Sequence, residues 1–228
     1  RVTDYNNYVS IPYILRTERA DYVSTYNATN TSPYIVPAEG WCDAYFDLGG
    51  KAQKDLITPN YVSVGVPSQV SFGFGGFSET RHDVLVTLGS DPTFNFDTTY
   101  FAYNAVHKTI ETSNALPTTS SITFQSYVGG SKAADKNGVA YVQIKYPSKL
   151  SCDYKASFGF TLPKVMEGDY IFLDFEKFNS GKNPPIIYCP EINKRIRTTV
   201  QDGKVRVLMP NMKKELHCFL VSQNVYYP

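Results

Sequence analysis

Three histidines, His82, His107 and His217, are the side chains best suited to proton transfer near neutral pH. A hydrolytic site needs such a base within reach of a nucleophile and of a group that orients it. Neighbouring residues in a strand point to opposite faces. His82-Asp83 and His217-Cys218 therefore cannot act as dyads if each pair lies in a strand. Asp174 and Glu176 stand two apart on one strand face, about 7 Å along the strand, a spacing that resembles the carboxylates of glycosidases. With Lys177 beside them, an acidic solvent face is the plainer reading. Asp91, Asn95 and Asp97 cluster next to Pro92, where hard oxygen ligands suit calcium and the same residues suit Asx-turns. The spacing is not that of an EF-hand, and Asx-turns are expected. Phe72-Gly73-Phe74-Gly75-Gly76-Phe77 is glycine-rich but lacks the lysine and following helix of a phosphate cradle. Its glycines mark a bulge or a close backbone approach, and its phenylalanines are core candidates. No catalytic constellation, metal site or cofactor is expected, and the chain reads as a non-enzyme.

One basic patch follows from local geometry. Asp202-Gly203 suits a type I′ turn, which needs positive φ at both positions. That turn predicts a hairpin over 195–209, with Val200 opposite Val205, Thr198 opposite Val207 and Ile196 opposite Met209. The other side of the ribbon then carries Arg195, Arg197, Lys204 and Arg206, with Leu208 as the exception. Such a face could engage an anionic glycan, a phospholipid headgroup or an acidic protein; it could equally be a solvated outer face.

These residues must be positioned by strands. Period-two alternation runs through 82–88, 98–106, 121–128, 139–146, 154–162 and 169–176, with further strand candidates at 8–15, 41–48, 61–66, 69–74, 186–189 and 216–226. Glycine, proline, asparagine and aspartate punctuate them, which is the pattern of a sandwich or barrel. The one helix candidate is a turn or two at 51–57. The fold class expected is an all-β antiparallel β-sandwich, jelly-roll or immunoglobulin-like, with two packed sandwich domains an option. Pro147-Ser148-Lys149 suggests a larger domain over 1–148 and a smaller immunoglobulin-like one over 149–228, although 228 residues also suit a single β domain.

Composition bears on compartment and partner. Net charge is +1, which argues against general nucleic-acid affinity. No apolar run reaches the roughly 18 residues that span a bilayer. The chain begins at Arg1 without methionine and reads as a processed piece of a longer product. Four cysteines, Cys42, Cys152, Cys189 and Cys218, form no C-x-x-C pair. Their even number predicts two disulfides, with Cys152–Cys189 and Cys42–Cys218 favoured and Cys152–Cys218 a rival. Asn27-Ala28-Thr29 and Asn30-Thr31-Ser32 are consecutive glycosylation sequons in a polar stretch. Cysteines and sequons together predict an oxidising compartment, extracellular or on a cell or virion surface. Eighteen tyrosines and 14 phenylalanines suit pleated surfaces, and tyrosine also suits a binding face.

The function expected is that of a binding or adhesion ectodomain recognising a glycan or a protein on another surface. A self-assembling viral coat or shell protein is the first alternative, and a secreted glycan-processing enzyme the second.

Overall fold

The computed structural model describes residues 8–26, 41–89, 91–113, 115–127 and 135–223. Among the described residues 61% lie in strands and none in an α-helix, so the all-β antiparallel expectation holds. The sequons at Asn27 and Asn30 lie outside the described residues. From the N-terminus the strands are Val9–Ser10 (β1), Ile14–Asp21 (β2), Thr25–Tyr26 (β3), Trp41–Cys42 (β4), Phe46–Asp47 (β5), Lys51–Ile57 (β6) and Ser68–Gly76 (β7). Arg81–Leu88 (β8), Asp91–Phe101 (β9), Ala105–Thr112 (β10), Thr119–Ser126 (β11) and Lys136–Ser148 (β12) follow. The last are Ser157–Leu162 (β13), Tyr170–Phe175 (β14), Ile186–Cys189 (β15), Lys194–Arg197 (β16), Thr199–Gln201 (β17), Lys204–Pro210 (β18) and Leu216–Val221 (β19).

Two compact units share the chain. One is residues 17–146; the other joins residues 1–16 to 147–228. The chain passes between them inside β2 and inside β12. The N-terminal segment, expected in the larger domain, thus belongs with the C-terminal unit.

In the 17–146 unit one sheet has the order β6-β11-β8-β9 and the other runs β10-β7-β12, followed by β2. Between them lie Val84, Val86, Ile122 and Phe124 from the first sheet and Val70, Phe72, Phe74, Val142 and Ile144 from the second. Phe72 and Phe74 approach Phe124 at ring-centroid distances of 5.6 and 5.5 Å. Burying each such side chain contributes about 1.5–3 kcal/mol. The segment 51–57, expected as the one helix, is strand β6 paired with β11. Seven residues, even good helix formers, are too few to hold an isolated helix, whereas the strand completes a ladder and buries Leu56. The strand expected over 98–106 is broken at Ala102, which takes φ 51°, and its two halves become β9 and β10.

In the other unit β1-β14-β18-β17 faces a sheet made of the first residues of β2 with β13-β19-β15-β16. Ile171, Leu173, Phe175, Val205, Val207 and Met209 meet Phe158, Phe160, Leu162, Ile187, Leu216 and Leu220 in its core. The Asp202-Gly203 turn forms, with φ 53° and 74°, and Val200 does oppose Val205. The hairpin is shorter than expected. At Thr198, whose hydroxyl donates to Pro185 O at 2.7 Å, the chain leaves one sheet for the other. Thr199–Gln201 pairs with β18, but Lys194–Arg197 pairs with β15. Val200, expected inside, is exposed on an edge strand while Val205 is buried.

The expected disulfides are not formed. All four cysteines are buried free thiols. Cys42 lies in the 17–146 unit and its Sγ donates to Asp43 O; Cys152 is buried in the core of the other unit. Cys189 and Cys218 face each other on β15 and β19 in a thiol–thiol hydrogen bond of 2.8 Å. That bond draws the proton to Cys218, pushing its thiol up and Cys189 down. Burial pushes the Cys42 thiol up to about 11 and Cys152 up to about 12.

Two outcomes follow. Val205→Ala should cost about 1–3 kcal/mol, Val200→Ala should stay within about 0.5 kcal/mol, and Gly203→Val should destabilise by forcing a β-branched residue to positive φ; urea titrations rank the three. The unfolded chain ionises Cys42 and Cys152 near 9.0, before the folded chain does. Their contribution to stability is therefore intact below about pH 9 and is lost as pH rises through 11 and 12. In Cys152→Ala the alkaline fall in melting temperature should be shallower.

Candidate functional site

The outward side of β7 is small. Its inward residues are Val70, Phe72 and Phe74; its outward ones are Gln69, Ser71, Gly73 and Gly75. Because β7 is central, its neighbours' side chains meet over it. Gly73 lies between His107 on β10 and Tyr141 on β12. A Cβ there would come 2.4 Å from Tyr141 Cε1 and 2.8 Å from His107 Nδ1. The two rings stack, with centroids 5.9 Å apart and planes 11° apart. On Tyr141's other face the Arg19 guanidinium sits 4.1 Å from the ring centroid, an arrangement worth about 0.5–1 kcal/mol at an exposed site. Asp21 fixes that guanidinium through two nitrogens, Nε at 2.9 Å and the terminal one at 2.6 Å. A bulge at Ala140 sets up the row. The register shifts between Val139 and Tyr141, so Val139 enters the core while Tyr141 turns outward. Strict alternation would have put both on one face. Tyr22 N–H takes the bulge carbonyl at 2.8 Å.

Along the same face a polar strip continues. Ser71 and Thr109 share a 2.8 Å hydrogen bond, and Gln69 donates to Glu111 at 3.2 Å. Gln143 and Lys145 lie opposite Ser71 and Gln69. In the other direction is a shallow cleft with walls of Trp41, Phe77, Tyr103 and His107 and a floor that includes Gly75 and Gly138. Its enclosed part is about 20 Å³, room for one water, so a ligand would lie across it. Trp41 and His107 are exposed. Aromatic walls, a flat floor and an adjoining strip of amides and hydroxyls suit a ring with one C–H face and a polar rim.

The 17–146 unit also holds a buried polar network. Asp135 Oδ1 meets His82 Nδ1 at 2.5 Å and accepts from Asn137 Nδ2 at 2.9 Å; its Oδ2 accepts from Ser126 Oγ at 2.6 Å. Tyr100 O–H donates to Asn137 Oδ1. His82 Nε2 faces Ala102 O at 2.9 Å and Ser78 O at 3.2 Å. Two carbonyls facing Nε2 call for its proton there. Serine, histidine and aspartate are the types of a hydrolytic triad, but the order is wrong: Ser126 bonds the carboxylate and not the imidazole. All three are sealed from solvent. The sequence reading weighed His82 against its neighbour Asp83 and missed Asp135, 53 positions away.

The predicted basic residues divide. Lys204 Nζ reaches Glu176 at 2.6 Å and Asp174 at 3.7 Å; Arg206 reaches Asp174 at 3.3 Å and Asp202 at 3.6 Å. Arg195 and Arg197 lie on β16, in the other sheet of their unit, so no single basic ribbon face exists. The same bonds settle the carboxylate pair. The hydrogen bond from Lys204 holds Glu176 below the usual carboxylate range, whereas a glycosidase acid needs a raised value. Asp91 caps an Asx-turn: Oδ1 accepts from Thr93 N–H and hydroxyl, and Oδ2 from Thr112. Asp97 accepts from Tyr127 O–H. Among the described residues no cluster of His, Cys, Asp and Glu suits a metal ion.

No family model and no curated protein matches the chain in sequence. Among solved structures it is similar to dimeric latent PorU from Porphyromonas gingivalis, at 9% identity and TM-score 0.62. The match covers 93% of this chain and 20% of that one, so the chain spans a fifth of that protein's length. At that identity the likeness concerns the fold alone. The CBM36-1 domain of a multidomain xylanase from the hindgut metagenome of Trinervitermes trinervoides aligns over 57% of this chain and 96% of its own. Its identity is 12% and its TM-score 0.36, too distant to carry an argument.

Removing the buried carboxylate strands the imidazole, so Asp135→Ala should cost about 3–5 kcal/mol. A urea titration giving under 1 kcal/mol would show that Asp135 is not the support described.

Proposed function

We propose that the chain is a binding module and that its 17–146 unit recognises a sugar across the cleft walled by Trp41, Tyr103 and His107. One observation carries this reading: His107, stacked on Tyr141 and backed by Arg19, presents a braced ring beside a glycine floor. Bracing lowers the entropy lost on binding. A sugar ring would lay its C–H face on the aromatic walls and turn its hydroxyls toward Ser71, Thr109 and Gln143. A non-catalytic role is part of the proposal. It is supported by the sealed Ser126–Asp135–His82 network and by the neutralised Asp174 and Glu176 pair. An extracellular or surface setting is also proposed. It rests on the sequons at Asn27 and Asn30, since the free thiols add nothing to it.

A glycan array followed by calorimetry tests the reading. Trp41→Ala and His107→Ala should each weaken binding by about tenfold or more, as aromatic anchors do, with melting temperature unchanged. If the array retains no sugar, or if both variants bind like the parent protein, the reading is wrong.

A further inference from the structure

The unit of residues 1–16 and 147–228 has an exposed face of its own. On the sheet β13-β19-β15-β16, Phe219 lies opposite both Gly159 and Tyr188, and Tyr188 lies opposite Arg195. Gly159, Phe219, Tyr188 and Arg195 therefore form one row across four strands. The Phe219 ring covers Gly159, where a Cβ would stand 3.4 Å from its Cε1. The next row runs Ser157, Val221, Ile186 and Arg197. Tyr188 is 41% exposed and Phe219 44%, a high figure for two large rings side by side. Arg195 and Arg197 are both exposed. Neither makes an ion pair with a described residue, unlike Lys204 and Arg206 in the same unit. Glu191, in the turn between β15 and β16, is occupied by His217, through Nδ1 at 2.6 Å and the backbone N–H at 3.0 Å.

Charge at a sheet edge has a plain use, since β16 is an edge strand and cations deter edge-to-edge pairing. Edge protection accounts for the arginines. It does not account for two exposed rings in register with one of them. We propose that this face is a second binding surface, and that its ligand is an anionic polysaccharide. The rings take the C–H faces of successive sugars. Arg195 and Arg197, about 7 Å apart along one strand face, take their acidic groups. The planar guanidinium fork suits a carboxylate or a sulfate equally. A net charge of +1 and only two arginines without an ion pair to a described residue on this face favour this over nucleic acid, which is held by many phosphate contacts. The inference uses no residue of the cleft in the other unit and does not depend on it.

The test is affinity electrophoresis of the full chain against polygalacturonate, dextran sulfate, neutral dextran and single-stranded DNA. Retardation by an acidic polymer and not by neutral dextran is expected, and the polymer retained says whether carboxylate or sulfate is the group read. Arg195→Glu with Arg197→Glu should weaken retardation by about tenfold or more, and so should Tyr188→Ala with Phe219→Ala. Trp41→Ala should leave it unchanged, and so should Lys204→Gln. Melting curves confirm that each variant folds. The inference fails if neither acidic polymer is retarded, or if DNA is held more tightly than both. It fails too if the charge reversals abolish retardation while loss of both rings does nothing, which would mark simple ion exchange at a charged edge.

Discussion

A central strand whose second half is mostly glycine governs the 17–146 unit. At Gly76 a Cβ would stand 2.1 Å from Ala102 O and 2.4 Å from His82 Nε2, distances that no side chain tolerates. That vacancy lets the turn after β9 come down onto β7, where its carbonyl finds the imidazole proton. At Gly73 the same economy admits Tyr141 and His107, and at Gly75 it leaves the cleft a floor. Glycine weakens a strand by roughly 0.5–1 kcal/mol relative to alanine, so three in four residues is a substantial cost. The phenylalanines of the same strand offset it: Phe72 and Phe74 are among the largest fully buried side chains. One strand thus anchors the core with its phenylalanines and clears space for polar and aromatic groups with its glycines.

The buried network depends on that cleared space. Asp135 has no water to turn to, so each lone pair must be met by the protein. Ser126, Asn137 and His82 meet them from β11, β12 and β8. The donors come from three different strands, which makes the network a record of correct pairing: a one-residue slip of any strand would turn its donor to the wrong face. Tyr100 closes the arrangement by stacking on His82 at 4.8 Å while bonding Asn137. Burial, with the Asp135 charge nearby, pushes its hydroxyl well above the usual range, so it stays a donor.

What could be read from the sequence was local. The Asp202-Gly203 turn fixes its own φ values and the pairing of the residues beside it, and both were legible. So were the inward Phe72 and Phe74 and the Asx-turn at Asp91, because each depends on residues within a few positions, whereas Phe77, expected in the core, lines the cleft. The reading failed wherever a partner was remote. Nothing near Thr198 marks a change of sheet, since the destination of β16 is set by β15 and the buried hydroxyl bond to Pro185 O. The segment 51–57 carries helix-compatible residues and becomes a strand because β11 is there to receive it. The bulge at Ala140 had only Gly138 as a hint, and without it Tyr141 looks like any alternating position. The stack of Arg19, Tyr141 and His107 joins residues 122 positions apart at the extreme, and the pairing of Cys189 with Cys218 needed the β15–β19 register.

The fate of the basic residues shows how register decides function. Arg206 sits opposite Asp174 on β14, and Lys204 reaches Asp174 and Glu176 just past that strand's end, because the turn fixes β18 against β14; their charge is spent locally. Exposed pairs of this kind contribute little stability, about 0–1 kcal/mol; their consequence is electrostatic, since neither cation projects a field. Arg195 and Arg197 are only a few residues earlier in the chain. The switch at Thr198 carries them to a strand whose neighbour offers Tyr188 and Ile186 instead of carboxylates. Their charge therefore stays available, and it stands beside apolar area that no described residue covers. A cation near exposed rings in a weakly charged chain is a specific feature, whereas the same cation beside an aspartate is part of a solvated surface. Composition does not distinguish the two cases. The sheet that each short strand joins does.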